Sequence, residues 1–331
     1  MGMKRTCIAL ALLSLIPLLV QCTSAIVNPA PTATQVKPAA TATPISPTST
    51  IPPTNTPSPV PTALPTTKVS FDPWELLRQT KASGPVYLAG FHDPDFGITV
   101  GYAGDVRYTA DGGYLWTRAE NKSACRFGLD IVDENTAWHC GNGGHIRVST
   151  DGGQTWQIAT SFGPNHPNHC RFLSFLDAKT GWAATPYQLG VTMDGAETWT
   201  EISLPEGTQT IAAISLRTVT EGYVLDDTST LFITRDGGQT WSAYSLGTED
   251  EGLLTASTPM AALRFTSANQ GIAVFQDRRQ VWYALTEDGG QTWQRGEIPM
   301  TIVRPSLYLA HDGETLTMLS GSEITVLRYE R

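Results

Sequence analysis

Residues 149–156 read Ser149-Thr-Asp151-Gly-Gly153-Gln-Thr155-Trp156, and the same octapeptide pattern recurs at four other places in the chain. The other copies are Thr109–Trp116, Thr192–Trp199, Thr234–Trp241 and Thr286–Trp293. Two copies depart at one position, with Leu115 in place of Thr and Ala196 in place of the second Gly. Successive tryptophans are 40, 43, 42 and 52 residues apart, so the chain is built of repeats.

Each octapeptide is predicted to form the turn of a β-hairpin. A short aspartate can accept hydrogen bonds from the amides of its own turn, and glycine supplies the positive φ that tight turns need. The tryptophan falls on the next strand, where it can pack inward. Between octapeptides, apolar and polar residues alternate around a second turn, as in Asp177–Trp182, Thr220–Tyr223 and Ser267–Ile272. Each repeat therefore supplies four short strands, the content of one β-propeller blade.

The number of blades follows from the ends of the repeat array. Trp74 lies 42 residues before Trp116 without an octapeptide of its own, and residues 305–329 supply three strand-like runs. We expect residues 69–78 to provide the missing outer strand of the final blade, paired near residues 324–329, because closure removes open sheet edges. The long last spacing is explained by an insertion near residues 247–259. The prediction is an all-β, six-bladed propeller of four-stranded blades at residues 69–331, with seven blades as the alternative.

Residues 1–22 have the features of a lipoprotein-type signal peptide. Two basic residues precede an uncharged run at residues 8–20, which is too short to span a bilayer comfortably but typical of a signal peptide. The run ends Leu19-Val-Gln-Cys22, which resembles a bacterial lipobox, although Gln21 stands where that pattern has Gly, Ala or Ser. The resemblance implies lipidation of Cys22 and a cell-surface or periplasmic-side lipoprotein. The alternative is cleavage after Ala25 and secretion.

Residues 23–68 form a Thr/Pro-rich segment with 11 prolines and 12 threonines. So many prolines forbid helix and disfavour central strands, so this segment is predicted to be a disordered linker. Fully extended at about 3.1 Å per residue, it would reach roughly 140 Å. A linker behind an anchor lets the folded part work away from the membrane.

The charge and the cysteines limit the classes of partner and cross-link. The chain of 331 residues has a net charge of −9, which becomes −11 without the two basic residues of the leader. Such an acidic balance argues against a nucleic-acid partner. Three cysteines remain beyond the leader, Cys125, Cys140 and Cys170. Either Cys125 and Cys170 form a disulfide, since each begins a Cys-Arg-Phe tripeptide in neighbouring repeats, or both are buried free thiols.

The repeat array resembles the Asp-box, or bacterial neuraminidase repeat, of photosystem II stability/assembly-factor-like exported proteins. Sialidases, sortilin-type receptors and cellulose-degrading propellers carry the same box on the blade periphery. The resemblance implies that the box aspartates and tryptophans are structural rather than catalytic. The aspartates are Asp111, Asp151, Asp194, Asp236 and Asp288, and the tryptophans are Trp116, Trp156, Trp199, Trp241 and Trp293.

Four arginines form a candidate ligand site: Arg126, Arg171, Arg264 and Arg304. They fall near the same stage of their repeats, where a blade opens at its innermost strand. Two or more guanidinium groups are therefore expected to converge on one mouth of the channel and to bind a carboxylate bidentately. The alternative is that each arginine pairs with an acidic residue of its own blade.

No cofactor and no metal are predicted. The stretch His166-Pro-Asn-His169-Cys170 has metal-ligating residue types, but it is interpreted as a polar loop between blades. The predicted function is that of a non-enzymatic, tethered extracytoplasmic binding or assembly-factor-like module, monomeric, with a protein or peptide partner. The alternative is a polysaccharide-binding or sialidase-like glycoside hydrolase propeller, which would need exposed aromatic platforms and paired carboxylates at one mouth.

Overall fold

The computed structural model describes residues 70–71, 73–121, 127–141, 144–162, 170–246, 261–277, 280–301 and 306–330. All of them belong to one of two compact units, Ala63–Arg331. The predicted signal peptide, the linker, Cys22, Cys125, Arg126 and Arg304 lie outside the described residues. Within the described ranges, no helix has the length and apolar character needed to cross a membrane.

The described residues form six antiparallel sheets, each of which is one blade. Blade 1 contains β3 (Val86–Phe91), β4 (Gly97–Gly101), β5 (Val106–Thr109) and β6 (Thr117–Arg118). Blade 2 contains β7 (Gly128–Ile131), β8 (Ala137–Cys140), β9 (His145–Ser149) and β10 (Gln157–Ser161). Blade 3 contains β11 (Phe172–Phe175), β12 (Gly181–Ala184), β13 (Leu189–Thr192) and β14 (Thr200–Ile202). A single 3-10 turn within the described part, Tyr102–Gly104, joins β4 to β5.

The other three blades complete the ring. Blade 4 contains β15 (Ile211–Leu216), β16 (Gly222–Asp226), β17 (Thr230–Thr234) and β18 (Ser242–Ser245). Blade 5 contains β19 (Ala261–Phe265), β20 (Gly271–Asp277), β21 (Gln280–Thr286) and β22 (Gln294–Thr301). Blade 6 contains β23 (Ser306–Leu309), β24 (Thr315–Ser320), β25 (Glu323–Tyr329), β2 (Trp74–Lys81) and the short edge strand β1 (Ser70–Phe71).

The ring is closed by pairing the two ends of the folded part. Strand β2 lies beside β25, with Trp74 opposite Tyr329 and Lys81 opposite Glu323. Each innermost strand contacts the next, from β3 through β7, β11, β15, β19 and β23 back to β3. The six-bladed fold and the closing strand predicted from the sequence are therefore confirmed, and the closing strand extends three residues beyond the expected end.

In blade 2, the aspartate of the octapeptide is engaged by its own turn. The Oδ1 atom of Asp151 accepts hydrogen bonds from the Ser149 hydroxyl (2.8 Å) and from the Thr155 N–H (2.9 Å). The Ser149 hydroxyl oxygen in turn accepts the Gly153 N–H at 2.8 Å. The same contacts recur in the other four copies. The threonine directly before the octapeptide tryptophan also donates hydrogen bonds to the aspartate. These hydrogen bonds lower the pKa of Asp194, Asp236 and Asp288 to about 2.

The octapeptide tryptophans pack onto the preceding blade. Trp241 of blade 4 lies 6.2 Å from Trp182 of blade 3 between ring centroids. Trp74 stands in the same relation to blade 5, since its ring centroid is 5.7 Å from that of Tyr283 and the side chain is fully buried. Blade 6 thus obtains its packing tryptophan from the other end of the chain.

Strand direction gives the propeller two distinct faces. Within each blade successive strands are antiparallel, so the octapeptide turn and the turn after the inner strand lie at one face, here called the Asp-box face. In blade 1 these two turns touch, because the Gly112 N–H donates to the Asp95 carbonyl at 2.7 Å. The inner strands begin at the opposite face, here called the cavity face.

Candidate functional site

A cavity of about 330 Å³ opens where the six inner strands begin. Each blade contributes an aliphatic side chain to its lining: Leu88, Leu129, Leu173, Ile214, Leu263 and Leu307. Two arginines, Arg171 and Arg264, also line it, and none of the described lining residues is Asp or Glu. The described lining is therefore apolar with a positive charge.

Next to the lining lies a ring of six residues, here called the channel layer, each the penultimate residue of its inner strand. The members are Gly90, Asp130, Ser174, Ser215, Arg264 and Tyr308. Two of them, Arg264 and Tyr308, line the cavity. Three of them accept a backbone N–H from the next blade: Asp130 from Phe175 (2.6 Å), Ser174 from Leu216 (2.9 Å) and Ser215 from Phe265 (3.1 Å). These bonds join the blades where the ring is narrowest.

An ion pair crosses the channel within this layer. The Arg264 Nη2 atom of blade 5 lies 3.0 Å from Asp130 Oδ1 of the opposite blade 2. His311 Nε2 lies 3.0 Å from the same oxygen. Burial alone would raise the pKa of Asp130, but the charges of His311 and Arg264 outweigh it and lower the pKa to about 2. Asp130 is therefore the counter-ion of the layer.

Tyr308 crosses from blade 6 to blade 2 over a glycine. Its hydroxyl accepts the Ile131 N–H at 3.0 Å and donates to the Ile131 carbonyl at 3.2 Å. A Cβ atom on Gly90 of the intervening blade would lie 2.9 Å from the Tyr308 ring and 3.1 Å from Leu129 Cδ2. Because Gly90 has no side chain, the Tyr308 ring has room to pass blade 1 and reach blade 2.

We expect Gly90→Ala to destabilise the domain by about 1–3 kcal/mol, because the added methyl group overpacks against the Tyr308 ring. Denaturant unfolding measures the loss. The same substitution in a Tyr308→Ala background should cost clearly less, since the contact with the Tyr308 ring is gone and only the one with Leu129 remains. Equal costs in both backgrounds would show that Tyr308 does not need the space at Gly90.

The two candidate arginines that the structure describes, Arg171 and Arg264, do not occupy one level of the channel. Arg171 immediately precedes β11, whereas Arg264 is the penultimate residue of β19, three positions further along the channel from the residue that matches Arg171. Both nevertheless line the cavity, Arg171 nearer the opening. Arg264 does pair with an acid, but with Asp130 across the channel rather than within its own blade.

The two Cys-Arg-Phe tripeptides are also out of register by one residue. The Phe127 N–H donates to the Cys140 carbonyl (3.3 Å), as the Arg171 N–H donates to the Ala184 carbonyl (2.8 Å). Phe127, not Arg126, therefore matches Arg171. A one-residue shift reverses which face of a strand a side chain occupies, so the sequence similarity was misleading. Arg126 and Arg304 themselves lie outside the described residues.

Arg171 has no ion-pair partner among the residues that the structure describes. Its guanidinium carbon lies 5.4 Å from the centroid of the Phe127 ring, in the geometry of a cation–π contact. Its Nε is buried without a hydrogen-bond partner, and so is the Nε of Arg264. The cavity thus holds N–H donors that a bound anion could satisfy.

Aromatic side chains that the sequence analysis missed stand on the cavity face. Tyr87 lines the cavity, and its ring centroid is 6.1 Å from that of Tyr102, which is 62% exposed. Tyr187, in the turn between β12 and β13, is 54% exposed at the same face. The signal that could have revealed them is an aromatic residue inside an otherwise small or polar turn, as in Gly101-Tyr102-Ala-Gly104.

Cys170 is buried and carries a free thiol, whose Sγ lies 3.8 Å from the Phe172 carbonyl oxygen. The structure therefore agrees, at this residue, with the alternative of buried thiols rather than with a bridge to Cys125. Cys125 and the histidines at positions 166 and 169 lie outside the described residues. The described part contains no cluster of three or more His, Cys, Asp or Glu able to hold a metal ion.

His139 of β8 makes stability depend on pH. Burial lowers the pKa of His139 to about 3, and the charge of Arg147 acts in the same direction. The unfolded chain takes up this proton near pH 6.5 while the folded protein does not, so stability falls as the pH falls. We expect a slope of about 1.4 kcal/mol per pH unit between pH 6 and 4.5, measured by denaturant unfolding. His139→Gln should flatten that slope by one proton, and an unchanged slope would contradict this assignment.

The family model for the BNR/Asp-box repeat matches residues 147–157 and 232–243, which contain two of the five octapeptides. The chain therefore carries BNR/Asp-box repeats. No curated protein matches its sequence.

Solved structures of other propellers resemble the described fold. U3-55K is 9% identical with a TM-score of 0.53, covering 77% of this chain and 98% of its own. A catalytically inactive virginiamycin B lyase from Staphylococcus aureus with quinupristin is 13% identical with a TM-score of 0.51, covering 75% and 82%. A structure of YCF48 bound to D1 peptide is 19% identical with a TM-score of 0.49, covering 80% and 97%. Identities as low as those of the first two show a common fold and nothing more.

Proposed function

We propose that this propeller is a non-enzymatic, monomeric binding module that holds a protein or peptide partner at the mouth of the channel on its cavity face. The observation that carries the proposal is Arg171, a cation without a described counter-ion, in an apolar cavity of about 330 Å³. Ligand pockets of this size and polarity bury apolar groups and orient them with a few polar contacts. A carboxylate of the partner is the group that a guanidinium binds bidentately.

The channel layer supports this role by fixing one of the two arginines that line the cavity. Arg264 is held by Asp130 and also donates to the Leu309 carbonyl at 3.3 Å, so it is positioned before any ligand arrives. A preformed site loses less conformational entropy on binding than a mobile one. Arg171 then supplies the charge that remains available near the opening.

The test is in-cell crosslinking with mass spectrometry on the tagged full chain, comparing wild type with Arg171→Gln. We expect at least tenfold lower recovery of the crosslinked partner for Arg171→Gln, with an unchanged melting temperature. The matched control is Arg118→Gln on the outer strand β6, where Arg118 is 63% exposed and its Nε lies 2.7 Å from Asp105. Equal recovery from all three proteins would overturn the proposal.

Polysaccharide binding is the second candidate, and the exposed Tyr102 and Tyr187 favour it. Aromatic rings at a channel mouth can stack against sugar rings, which is the feature expected of the polysaccharide-binding alternative. Affinity electrophoresis through gels that contain bacterial surface polysaccharide distinguishes the two. Retardation that Tyr102→Ala abolishes and Arg171→Gln does not would support this second candidate, and a fluorogenic sialoside tests the sialidase-like variant directly.

We propose further that the protein is exported and tethered by lipid at Cys22, with residues 23–68 as the linker. The proposal rests on the lipobox-like sequence and on the composition of the linker. The Cys22→Ala protein should leave the membrane fraction, because the acyl chains supply most of the membrane affinity. A wild-type protein that is already soluble and starts at residue 26 would show secretion instead.

A further inference from the structure

A second pocket, of about 180 Å³, lies between blades 4 and 5 at the outer part of the Asp-box face, here called the rim pocket. Blade 4 contributes Arg235, Thr240, Ser242 and Tyr244 to its lining, and the octapeptide turn of blade 5 contributes Gln291. None of the described lining residues is Asp or Glu. The volume is below the 300–1,000 Å³ that is usual for drug-sized ligands, so the pocket suits one small molecule or one ring.

The rim pocket opens beside Tyr244, the third residue after the octapeptide tryptophan of blade 4. Blade 3 has Ile202 at this position, and a Cβ atom on Gly238 of the next blade would lie 2.2 Å from Ile202 Cγ2. Ile202 thus packs closely against the following octapeptide turn. At the equivalent Gly290 of blade 5, the nearest atoms come instead from Leu231, Ile233 and Phe265. Tyr244 therefore borders a space that the isoleucine fills between blades 3 and 4.

Arg235 is anchored on one side of its guanidinium and open on the other. Its Nη1 atom donates to Glu221 Oε1 at 2.8 Å, and Glu221 is also bound by Arg217 and by the Tyr223 hydroxyl. No described residue accepts a hydrogen bond from Arg235 Nε or Nη2, and the side chain is 56% exposed. Nη2 lies beside Gly289, another lining residue, at 3.3 Å from the position that a Cβ atom would take there. Glu221 thus positions the guanidinium and leaves one edge, with two N–H donors, for a ligand.

The other polar groups of the rim pocket include acceptors as well as donors. The Thr240 hydroxyl donates its proton to the octapeptide aspartate at 2.6 Å, so its oxygen remains as an acceptor. Gln291 Nε2 donates to a backbone carbonyl of its own turn at 2.8 Å, which leaves Oε1 as an acceptor. The hydroxyl groups of Ser242 and Tyr244 make no hydrogen bond to a described residue and can act in either way.

Charge and hydrogen-bonding capacity together favour a neutral ligand over an anion. Asp236 and Asp288, in the two turns that border the pocket, are ionised, since hydrogen bonds within their own turns lower the pKa to about 2. With Glu221 they give three negative charges against the two positive charges of Arg235 and Arg217. An anion such as sulfate also only accepts hydrogen bonds and leaves the acceptors of the pocket unmatched. A sugar hydroxyl both donates and accepts, so it matches both kinds of group.

The combination of Arg235 and Tyr244 occurs in one repeat only. The residues at the position of Arg235 in the other octapeptides are Ala110, Thr150, Met193 and Glu287. The residues at the position of Tyr244 are Ala119, Ala159, Ile202 and Gly296. The other blades keep their octapeptide turns without this pair, so the fold does not require it.

We infer that the rim pocket binds one neutral sugar ring, with two adjacent hydroxyls on the free edge of Arg235 and the apolar side of the ring against Tyr244. Gln291 and Ser242 then bind further hydroxyls. A tyrosine offers both an apolar ring and a polar tip to such a ligand. This inference goes beyond the proposed function, because the rim pocket lies on the opposite face of the propeller and shares no residue with the cavity.

Saturation-transfer NMR titrations on the purified full chain test this inference. The probes are the methyl α-glycosides of D-glucose, D-galactose and D-mannose, each compared with the methyl glycoside of its own uronic acid. We expect at least one neutral glycoside to bind with a millimolar Kd and at least tenfold more tightly than its acidic counterpart. Absence of binding by all three neutral glycosides, or tighter binding of a uronate, overturns the inference.

The variants locate the bound sugar. Arg235→Gln should weaken binding at least tenfold, and Tyr244→Phe at least threefold, because each removes hydrogen bonds to the ligand. Tyr244→Phe keeps the ring and removes a hydroxyl without a described partner, so it tests the site even if Arg235→Gln disturbs Glu221. The matched control is Arg118→Gln, since Arg118 is likewise an exposed arginine held by one carboxylate. Equal weakening by Arg118→Gln contradicts the assignment.

The rim pocket and the cavity are tested independently of each other. Arg171→Gln and Tyr102→Ala should leave glycoside binding unchanged. Binding that needs Tyr102 and not Arg235 would place the sugar at the channel mouth, which overturns this inference and supports the second candidate function. If Arg171→Gln leaves partner capture in cells unchanged while Arg235→Gln abolishes glycoside binding, the proposed function fails and the rim pocket stands.

Discussion

Deletion of residues 70–81 should leave the remaining blades without a cooperative thermal transition. The deletion removes β2, which pairs with the whole of β25, and it removes the fully buried Trp74. Loss of a buried tryptophan alone costs about 3–5 kcal/mol, and the lost pairing exposes the edge of β25 in addition. The sum reaches the total stability of an ordinary domain, about 5–15 kcal/mol.

Circular dichroism and near-ultraviolet fluorescence during heating measure this outcome. The control is Lys81→Ala in the same strand, because Lys81 Nζ lies 3.9 Å from Glu323 with both side chains about three-quarters exposed. Exposed ion pairs contribute little, so this variant should melt within a few degrees of wild type. A deletion protein that melts as cooperatively as Lys81→Ala would show that the ring does not depend on β2.

Asp130→Asn should lower the free energy of unfolding by about 3–5 kcal/mol, because it leaves the buried Arg264 without its counter-ion. The Arg264 side chain is only 8% exposed, so water cannot replace the lost charge. Denaturant unfolding at pH 7 measures the change. The double variant Asp130→Leu plus Arg264→Met should recover part of the loss, since an apolar pair leaves no unpaired charge. The recovery is incomplete because the buried Phe175 N–H loses its acceptor, Asp130 Oδ2.

The pH dependence of the same residue gives an independent check. The folded-state pKa of Asp130 is about 2, below the value of about 3.9 for an unfolded chain. Its stabilisation is therefore complete above pH 4 and is lost as the pH falls towards 2. Acid unfolding of Asp130→Asn should be shallower than that of wild type in this window, and an identical acid limb would exclude Asp130 as the source.

The repeat carried most of the information about the fold because its signal is local. An octapeptide with Asp and two glycines specifies its own turn, and the regular tryptophan spacing counted the blades. Blade 6 lacks the octapeptide, yet it keeps the turn after the inner strand, where Asp312 Oδ1 accepts the Glu314 and Thr315 N–H groups at 2.8 Å. The same turn occurs at Asp93, Asp133, Asp177, Thr218 and Ser267, so it marks all six blades.

The candidate site was harder to predict from the sequence. Its residues lie at the same level of the channel, but they are of different residue types. The channel layer holds Gly, Asp, Ser, Arg and Tyr at equivalent positions, and no pattern in the chain joins them. The Asp130–Arg264 pair connects opposite blades, so the sequence around either residue does not predict its partner. Aligning the repeats on the Cys-Arg-Phe tripeptide gives a register that is wrong by one residue, because register depends on backbone pairing rather than on tripeptide identity.

The pairing of β2 with β25 also sets the order of events during synthesis. The first strands of the folded part emerge at an early stage, but their partner is the last strand of the ring, so blade 6 assembles only after the whole domain has left the ribosome. Contacts between such distant parts of a chain form slowly, because the loop between them must close first. Until then Trp74 lies on an unpaired strand, the kind of edge on which chains aggregate. If the chain is exported unfolded, as proposed above, this delay keeps the domain open until translocation is complete.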